Sequence, residues 1–565
     1  MKNKIVLILL FLIVSFAAFL RFYSISNVPV SLYWDEAAIG YNAYSISQTG
    51  KDEYGTFMPI LFRSFDDYKT SGNIYLTSLS VLLFGLSEFA VRFPSALFGT
   101  LTVLIFYFLI VELFSYAPQV ITIGKREIPI NSRVLSLIST FMLAISPWHI
   151  QFSRSGFEAN IALFFQVLGI YALLLSLRKD RFNFFISIPL IAFSFYIYRS
   201  IWLTMPLFLL SFISIFKYDL LRKIYLNKII IGLVLFMVLL IPLFYTVFSG
   251  GGLTRGNQVS IFSNVTNFDS YAHSISQSSS NVVSKKLFSN TYSIKIMEFA
   301  LNYYSNFSPD FLFFNGDGNP RQGPRDMGLL YVWEIPFFLL GILGTFFLPR
   351  KIKYFIITWI LIAPIPAALS IPNPHALRSL FAIPMLTFFT GFGIYIVSRW
   401  IKKRSFQASF AVLLTEFIIY FFVRYLSLYY VIGPQTTSSA WADGYKQLVS
   451  YTTTHKANYN KIIISGHYWQ PYIYFLFYTK YNPVLYQKYG TKRGFDKYLF
   501  GGTSWDQNEY SQELGNINLR KFAHADKVLV ALSPQEYATQ ANNIQKLTEI
   551  RDHDNNLVFI VGNLK

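Results

Sequence analysis

The sequence predicts a polytopic α-helical membrane protein with about 11 transmembrane helices and a small C-terminal α/β domain. Three observations lead there. Of its 565 residues 53% are hydrophobic and only 14% charged, and the apolar residues gather into runs of roughly the 20 residues that cross a bilayer. Basic residues collect in alternate gaps between those runs, as in cytoplasmic loops. Past residue 432 the long apolar runs give way to short strand-like ones.

Spans are expected at 4–20, 91–115, 134–150, 159–177, 183–197, 201–216, 229–248, 331–348, 353–370, 379–398 and 407–431. Eleven crossings put the termini on opposite sides. The basic clusters are Lys2 and Lys4; Lys125, Arg126 and Arg133; Arg178, Lys179 and Arg181; Lys217, Arg222, Lys223 and Lys228; Arg350, Lys351 and Lys353; and Arg399, Lys402, Lys403 and Arg404. By the positive-inside rule these gaps are cytoplasmic, so the expected cell-membrane topology has a cytoplasmic N-terminus and an extracytoplasmic C-terminus. The net charge of +19 is then a topology signal, and no nucleic-acid partner is expected. Lys2 and Lys4 precede an apolar run with no small-residue cleavage site before Arg21-Phe22-Tyr23, which reads as an uncleaved first helix. The absence of cysteine excludes disulfides, thiolate metal sites and cysteine nucleophiles.

Three outer regions are long: 21–90, 249–330, and everything after 432. In the first, Ser71 to Gly85 is too short to span and is expected to lie at the interface. The second opens with Gly250-Gly251-Gly252, runs through Asn315-Gly316-Asp317-Gly318-Asn319-Pro320, and carries one expected helix near Asn290 to Tyr304; it is either a cover over a site or a plain connection. In the third, strands are expected at Lys461 to Ser465, Lys527 to Leu532 and Leu557 to Val561, a helix or turn at Gln470 to Tyr478, and a closing hairpin at His553-Asp554-Asn555-Asn556. The expected domains are a transmembrane catalytic domain over 1–432 and an extracytoplasmic α/β domain over 433–565. No Gly-rich nucleotide fingerprint, internal repeat or His-Glu-x-x-His spacing occurs. The sequons at Asn264 and Asn306 carry no assigned role.

Ionisable residues near a membrane are functional candidates. Trp34-Asp35-Glu36 sets two carboxylates just past the first span, and Asp66-Asp67-Tyr68-Lys69 follows in the same outer loop. Arginine should be scarce in short outer turns, yet Arg154, Arg199 and Arg378 each occupy one. With Lys69 they could ring the phosphate of a lipid carrier, for which the guanidinium fork is suited; for each arginine alone, snorkelling to headgroups is the bland alternative. If an acceptor hydroxyl attacks a sugar held by a phosphate leaving group, a carboxylate serves as general base and cations absorb the growing charge. Asp35 is the candidate base. Glu36, the other member of the candidate catalytic pair, projects elsewhere and orients a partner or binds metal; a divalent metal, if one is used, falls to Asp35 or Glu36. Glu158, one turn after Arg154, is expected to pair with that arginine. His375 either donates to a phosphate oxygen or caps the helix after Pro374. Asp67, Lys69, Arg154, Glu158, Arg199, His375 and Arg378 form the candidate donor-binding set.

The first loop, with Trp34-Asp35-Glu36, Asp52-Glu53-Tyr54-Gly55, Asp67-Tyr68-Lys69 and Phe84-Gly85-Leu86-Ser87-Glu88-Phe89-Ala90-Val91-Arg92-Phe93-Pro94, resembles the GT-C membrane glycosyltransferases. Within them it is similar to the dolichyl-phosphate-mannose protein mannosyltransferase-like family, glycosyltransferase family 39, with the lipid A aminoarabinose transferases as relatives. The turns at Arg154 and Glu158, Tyr196 to Arg199 and His375 to Arg378 extend the resemblance over about residues 1 to 432. It implies that the acidic motif's catalytic carboxylate falls on Asp35 and that the donor is a polyprenyl-phosphate-linked sugar. Relatives often carry Pro-Pro after the basic residue, where this chain has Thr70-Ser71-Gly72, so the turn at Lys69 departs from the pattern.

The function expected is an inverting glycosyltransferase moving one sugar from such a donor to an extracytoplasmic protein, lipid or glycan. The alternatives are a transporter or flippase of lipid-linked glycans, which should place its charges mid-bilayer on broken helices, and a pyrophosphate-dependent polysaccharide polymerase or ligase.

Overall fold

A computed structural model describes residues 3–65, 67–118, 120–123, 126–179, 182–224, 226–249, 259–262, 291–468, 470–501, 519 and 527–565. Lys2, Asp66, Lys125, Arg181, Gly250–Gly252 and Asn264 lie outside them.

The polypeptide divides into two compact units. One comprises 1–23, 95–153 and 157–426; the other comprises 24–94, 154–156 and 427–565. The contacts therefore gather the first outer loop with the C-terminal region, a grouping different from the expected division at residue 432.

The first unit is helical. Among the described residues eight helices are long and apolar enough to cross a membrane, beginning at Asn3, Glu88, Glu158, Ile201, Leu226, Arg350, Leu380 and Arg404. A ninth crossing results if Ser132–Ile145 and Pro147–Arg154, bent by 56° at their junction, count as one; Pro147 lacks the N–H that would continue the first helix. Two further expected spans are the short helices Phe182–Phe195 and Val332–Thr345. Each rises only about 21 Å at 1.5 Å per residue, less than the roughly 30 Å of a hydrocarbon core. All eleven expected segments thus coincide with helices of unequal length. The expected helix of the second outer loop is present as Thr291–Ser305.

Close approach within this unit depends on missing side chains. A Cβ on Gly341 or Gly393 would lie 1.9 or 1.8 Å from a backbone oxygen of the facing helix, so the helices Ile335–Thr345 and Ile383–Trp400 meet backbone to backbone.

The second unit is built on a six-stranded mixed sheet, in spatial order Gly494–Phe495, Tyr498–Phe500, Lys461–Ile464, Val528–Leu532, Leu557–Leu564, Ile544–Arg551. Lys461–Ile464 is parallel to both neighbours, with Ile462 opposite Tyr498 and Leu529. The last two strands form the expected antiparallel hairpin. Val528–Leu532 is buried at every position, as an apolar strand with both faces covered must be. Its side chains alternate between two cores: Leu529 and Ala531 join Ile462, Ile464 and Phe559 on one face, and Val528, Val530 and Leu532 join Ile463 and Ile544 on the other.

The first of those cores also takes in Ala37, Ala38, Tyr41 and Ile46 of the helix Trp34–Thr49. A Cβ on Gly40 would sit 2.5 Å from the Phe477 ring and 2.6 Å from Val91, so only glycine lets this helix seat so deeply. The helix Gly72–Phe84 follows, with Leu79, Leu82, Leu83 and Phe84 exposed. An apolar outer face is what the expected interfacial position requires.

Candidate functional site

Tyr33 adopts an extended conformation and the helix Trp34–Thr49 begins after it, with Asp35 and Glu36 in the first turn, where carboxylates face the positive helix end. Successive residues project about 100° apart on a helix, so the two diverge.

Glu36 turns inward and is fully buried, as is its ion-pair partner Arg92. Glu36 Oε1 accepts from Arg92 Nε (2.9 Å) and the Gly156 N–H (2.8 Å); Oε2 accepts from Arg92 Nη2 (3.2 Å) and the Tyr33 N–H (3.3 Å). Arg92 completes its set on the carbonyls of Ile25 (2.9 Å), Pro29 (2.8 Å) and Ser31 (2.6 Å). All five guanidinium donors are used, which is what makes a buried pair tolerable. The carboxylate thus ties together the helix start, the 25–31 loop and Gly156. A Cβ on Gly156 would lie 3.2 Å from Glu36 Cγ, closer than ordinary packing.

Asp35 projects to the more open side, its side chain 31% exposed, and ion-pairs with Lys69. The hairpin Leu61–Ser64 and Asp67–Thr70 delivers that lysine, with Phe62 opposite Lys69 and Ser64 opposite Asp67. Lys69 Nζ also stands 5.5 Å from the Phe65 ring centroid. Asp67, two residues earlier on the strand and so on the same face, accepts the Tyr68 N–H at 2.7 Å.

Behind Asp35, two helical turns along the same face, Asn42 donates to Glu53 Oε1 (3.3 Å) and accepts the Glu53 N–H (3.0 Å). Burial pushes the Glu53 carboxyl up to about 7, against the Asn42 hydrogen bond. Asp52, whose Oδ1 accepts the N–H groups of Tyr54 and Thr56, is raised by burial in the same direction.

Arg154 is fully buried. It donates to Tyr429 Oη (3.2 Å) and the Val28 carbonyl (2.9 Å) and lies over the rings of Tyr429 and Tyr430. Protein groups hold this guanidinium.

The remaining candidates lie in the other unit. Glu158 opens the helix Glu158–Arg178. Arg199 occupies the turn before Ile201–Lys223, 6.0 Å from the Trp202 ring. His375 is buried in a turn fastened by the second outer loop: Asn306 Oδ1 accepts the His375 N–H (3.4 Å), Asp317 Oδ2 that of Ala376 (2.7 Å) and Gln322 Oε1 that of Leu377 (2.9 Å). The His375 ring stands 4.0 Å from Asp317 Oδ2 and 3.4 Å from Gln322 Nε2. Burial raises the Asp317 carboxyl above its ordinary range. Arg378 donates to Ser370 Oγ (2.6 Å) and the Ile371 carbonyl (3.1 Å). Asn306, Asp317 and Gln322 thus fasten the turn at His375–Leu377.

One unit thus holds Asp35, Glu36, Asp67, Lys69 and Arg154, and the other Glu158, Arg199, His375 and Arg378. Arg92, Glu53, Asp317 and Gln322 had no expected role. A signal for Arg92 existed, since it is an arginine at the outer end of an apolar run. Among the described residues no group of three or more His, Cys, Asp or Glu side chains could hold a metal ion.

The fold is that of the GT-C glycosyltransferases. ArnT from Cupriavidus metallidurans, solved bound to undecaprenyl phosphate, superposes with a TM-score of 0.53 at 12% identity, covering 98% of this chain and 97% of that one. Its apo form gives 0.52 at 11% over the same shares. The apo oligosaccharyltransferase of Archaeoglobus fulgidus gives 0.51 at 12%, covering 96% of this chain and 71% of that one. No family model and no curated protein matches the sequence.

Proposed function

We propose that the protein is an inverting glycosyltransferase that transfers one sugar from a polyprenyl-phosphate-linked donor to an acceptor on the extracytoplasmic face. The observation that carries this reading is the Asp35–Lys69 pair: a partly exposed carboxylate beside a cation, one on a helix start and the other on a hairpin strand. A protein of the same fold has been solved with undecaprenyl phosphate bound, which supports a carrier of that class.

In the proposed reaction the acceptor oxygen bonds to the anomeric carbon as the bond from that carbon to phosphate breaks. The hydroxyl proton passes to Asp35, and the bonding pair departs with the carrier phosphate. Lys69 neutralises Asp35 at rest; an arriving phosphate competes for the ammonium and frees the carboxylate to act as base. Lys69 is assigned to the phosphate charge, Glu36 to orienting the helix start, Arg154 to holding the Tyr429 and Val28 segments together, and Asp67, Glu158, Arg199, His375 and Arg378 to the donor.

The test is sugar transfer by purified protein in liposomes containing a labelled polyprenyl-monophosphate sugar. Transfer to an added envelope extract supports the proposal. Transfer only from the pyrophosphate donor would identify a polymerase or ligase, and movement of label between leaflets without transfer would identify a flippase.

A further inference from the structure

The sheet of the second unit gathers polar residues at one end. Lys461–Ile464 is parallel to Tyr498–Phe500 on one side and to Val528–Leu532 on the other, so the later parallel strands are added on opposite sides of it. In open α/β sheets the carboxyl ends of the strands at such a switch point are where ligands bind. Leu557–Leu564 is antiparallel to Val528–Leu532, which brings the 552–556 turn to that same end. The 465–468 loop lies there too: the Tyr468 ring packs edge-on against Phe559 (5.3 Å) and His467 (4.8 Å).

At this end a buried acid holds a half-exposed imidazole. Asp443 Oδ2 accepts both the main-chain N–H of His553 (2.8 Å) and its ring Nδ1–H (2.5 Å), while Oδ1 accepts the Gly444 N–H (3.0 Å). The turn does not need the ring bond to stay in place. The main-chain bond already ties it to Asp443, and Asp552 ties it again by accepting from Ser438 Oγ (3.0 Å) and from the N–H groups of Asp554 (3.0 Å) and Asn556 (2.8 Å). What the ring bond adds is a fixed tautomer. With the proton on Nδ1, Nε2 carries a lone pair, on a side chain that is 49% exposed. The backbone is bent to deliver the acid: Ala442 and Gly444, on either side of it, have φ of 52° and 103°, and the first is uncommon for a residue with a side chain.

We infer that this end of the sheet binds a glycan, the acceptor of the proposed transfer, with His553 Nε2 accepting from one of its hydroxyls. The acceptor role rests on the transferase reading. A glycan offers hydroxyls along its edges and C–H groups on its faces. His553, with Asn555 and Asn556 exposed in the same turn, meets the first, and the half-exposed Tyr468 ring meets the second. An extended peptide would add to an open strand edge instead. The edge strand Ile544–Arg551 carries Lys546, Glu549 and Arg551 in a linked set of ion pairs, and charges of this kind discourage strand addition. The dyad is also joined to the candidate base within the same unit. Trp441, two residues before Asp443, packs edge-on to Tyr33 (5.9 Å) and stands 5.9 Å from the Arg92 guanidinium, at the start of the helix that carries Asp35.

The test is binding of detergent-purified, full-length protein to an array of oligosaccharides and extended peptides. The protein should bind a subset of the oligosaccharides, and His553→Ala should weaken that binding about tenfold. His553→Gln, whose amide supplies a donor for Asp443 and an acceptor for the hydroxyl, should recover most of it. The alanine variant should melt within about 2 °C of the original, because Asp443 keeps its bond to the main chain of residue 553. In the liposome assay the same variant should raise KM for the bound oligosaccharide about tenfold and leave kcat nearly unchanged. Equal binding by His553→Ala, binding of peptides alone, or no oligosaccharide bound would overturn the inference. Oligosaccharide binding through His553 with no sugar transfer would uphold the site and sink the transferase reading; transfer with an unchanged KM in His553→Ala would do the opposite.

Discussion

Replacing Glu36 by glutamine should unfold the second unit well before it affects chemistry. The amide keeps the shape but removes the charge, and either orientation turns one oxygen into an NH2 group facing two N–H donors. With Oε1 replaced, Arg92 Nε and Gly156 N lose their acceptor; with Oε2 replaced, Arg92 Nη2 and Tyr33 N do. Arg92 is left charged in a fully buried position. Breaking a buried pair in this way costs about 3–5 kcal/mol, and a unit of this size loses roughly 2–4 °C of melting temperature per kcal/mol, a drop of roughly 6–20 °C. Thermal unfolding in detergent, followed by tryptophan fluorescence, measures it. Asp35→Asn is the control, since its partly exposed carboxylate fastens nothing comparable. A Glu36→Gln protein melting within about 2 °C of the original would refute the role of Glu36 as a fastener and return it to the catalytic candidates.

Asp35→Asn should lower sugar transfer by about 10² to 10⁴ with donor binding retained, measured by labelled-sugar transfer and donor titration; transfer at the original rate would move the base to Glu36 or Asp67. Alanine at Arg199 or Arg378 should each remove a charge-assisted contact of roughly 1.5–3 kcal/mol, about tenfold or more in donor affinity, whereas alanine at the buried Arg154 should act on the folded fraction instead. Glu53 has a folded value of about 7 against an ordinary 4.5, so between those values the unfolded chain releases a proton that the folded one keeps. Stability should therefore fall as pH rises from about 4.5 to 7 and level off above, by about 3 kcal/mol in all; Glu53→Gln should flatten that part of a melting-temperature profile. A reporter active only in the cytoplasm, fused after Lys565, should stay dark.

The legible part of the fold was that governed by hydrophobic run length. Apolar segments appear wherever the chain builds helices in the first unit, but run length does not register bends or shortfalls: Pro147 breaks one expected span by 56°, and the segments at 182–195 and 332–345 are helical over too few residues to cross unaided. The strands of the C-terminal region were legible because Lys461–Ile464 and Val528–Leu532 are short, β-branched and bounded by turns. The attachment of the first loop to that region was not legible. It rests on Gly40 fitting under Phe477 and on Tyr41 donating to the Tyr481 carbonyl at 3.1 Å, contacts between residues more than four hundred positions apart that no local pattern encodes. The same holds at the candidate site. Asp35 and Lys69 were legible as charges in an outer loop, whereas Glu36 and Arg92, equally charged, are hidden fasteners, and only burial tells the two kinds apart.

That difference follows from one residue step on a helix. At Asp35 the short side chain stays near the opening and finds the hairpin lysine; at Glu36 the extra methylene reaches inward to a guanidinium already encircled by the carbonyls of Ile25, Pro29 and Ser31. An aspartate at position 36 would fall short of Arg92, and a glutamate at 35 would carry its carboxylate beyond the place where Lys69 now meets it. The order Asp-Glu suits this geometry: the longer acid anchors the turn, and the shorter one meets the hairpin lysine. If Asp35 is the base, its positioning comes from Arg92, and Arg92→Lys, which keeps the charge but offers three donors where five are used, should lower the melting temperature and, in the fraction that stays folded, lower transfer through a displaced Asp35. Full activity in that variant would mean that the helix start is held by its packing alone.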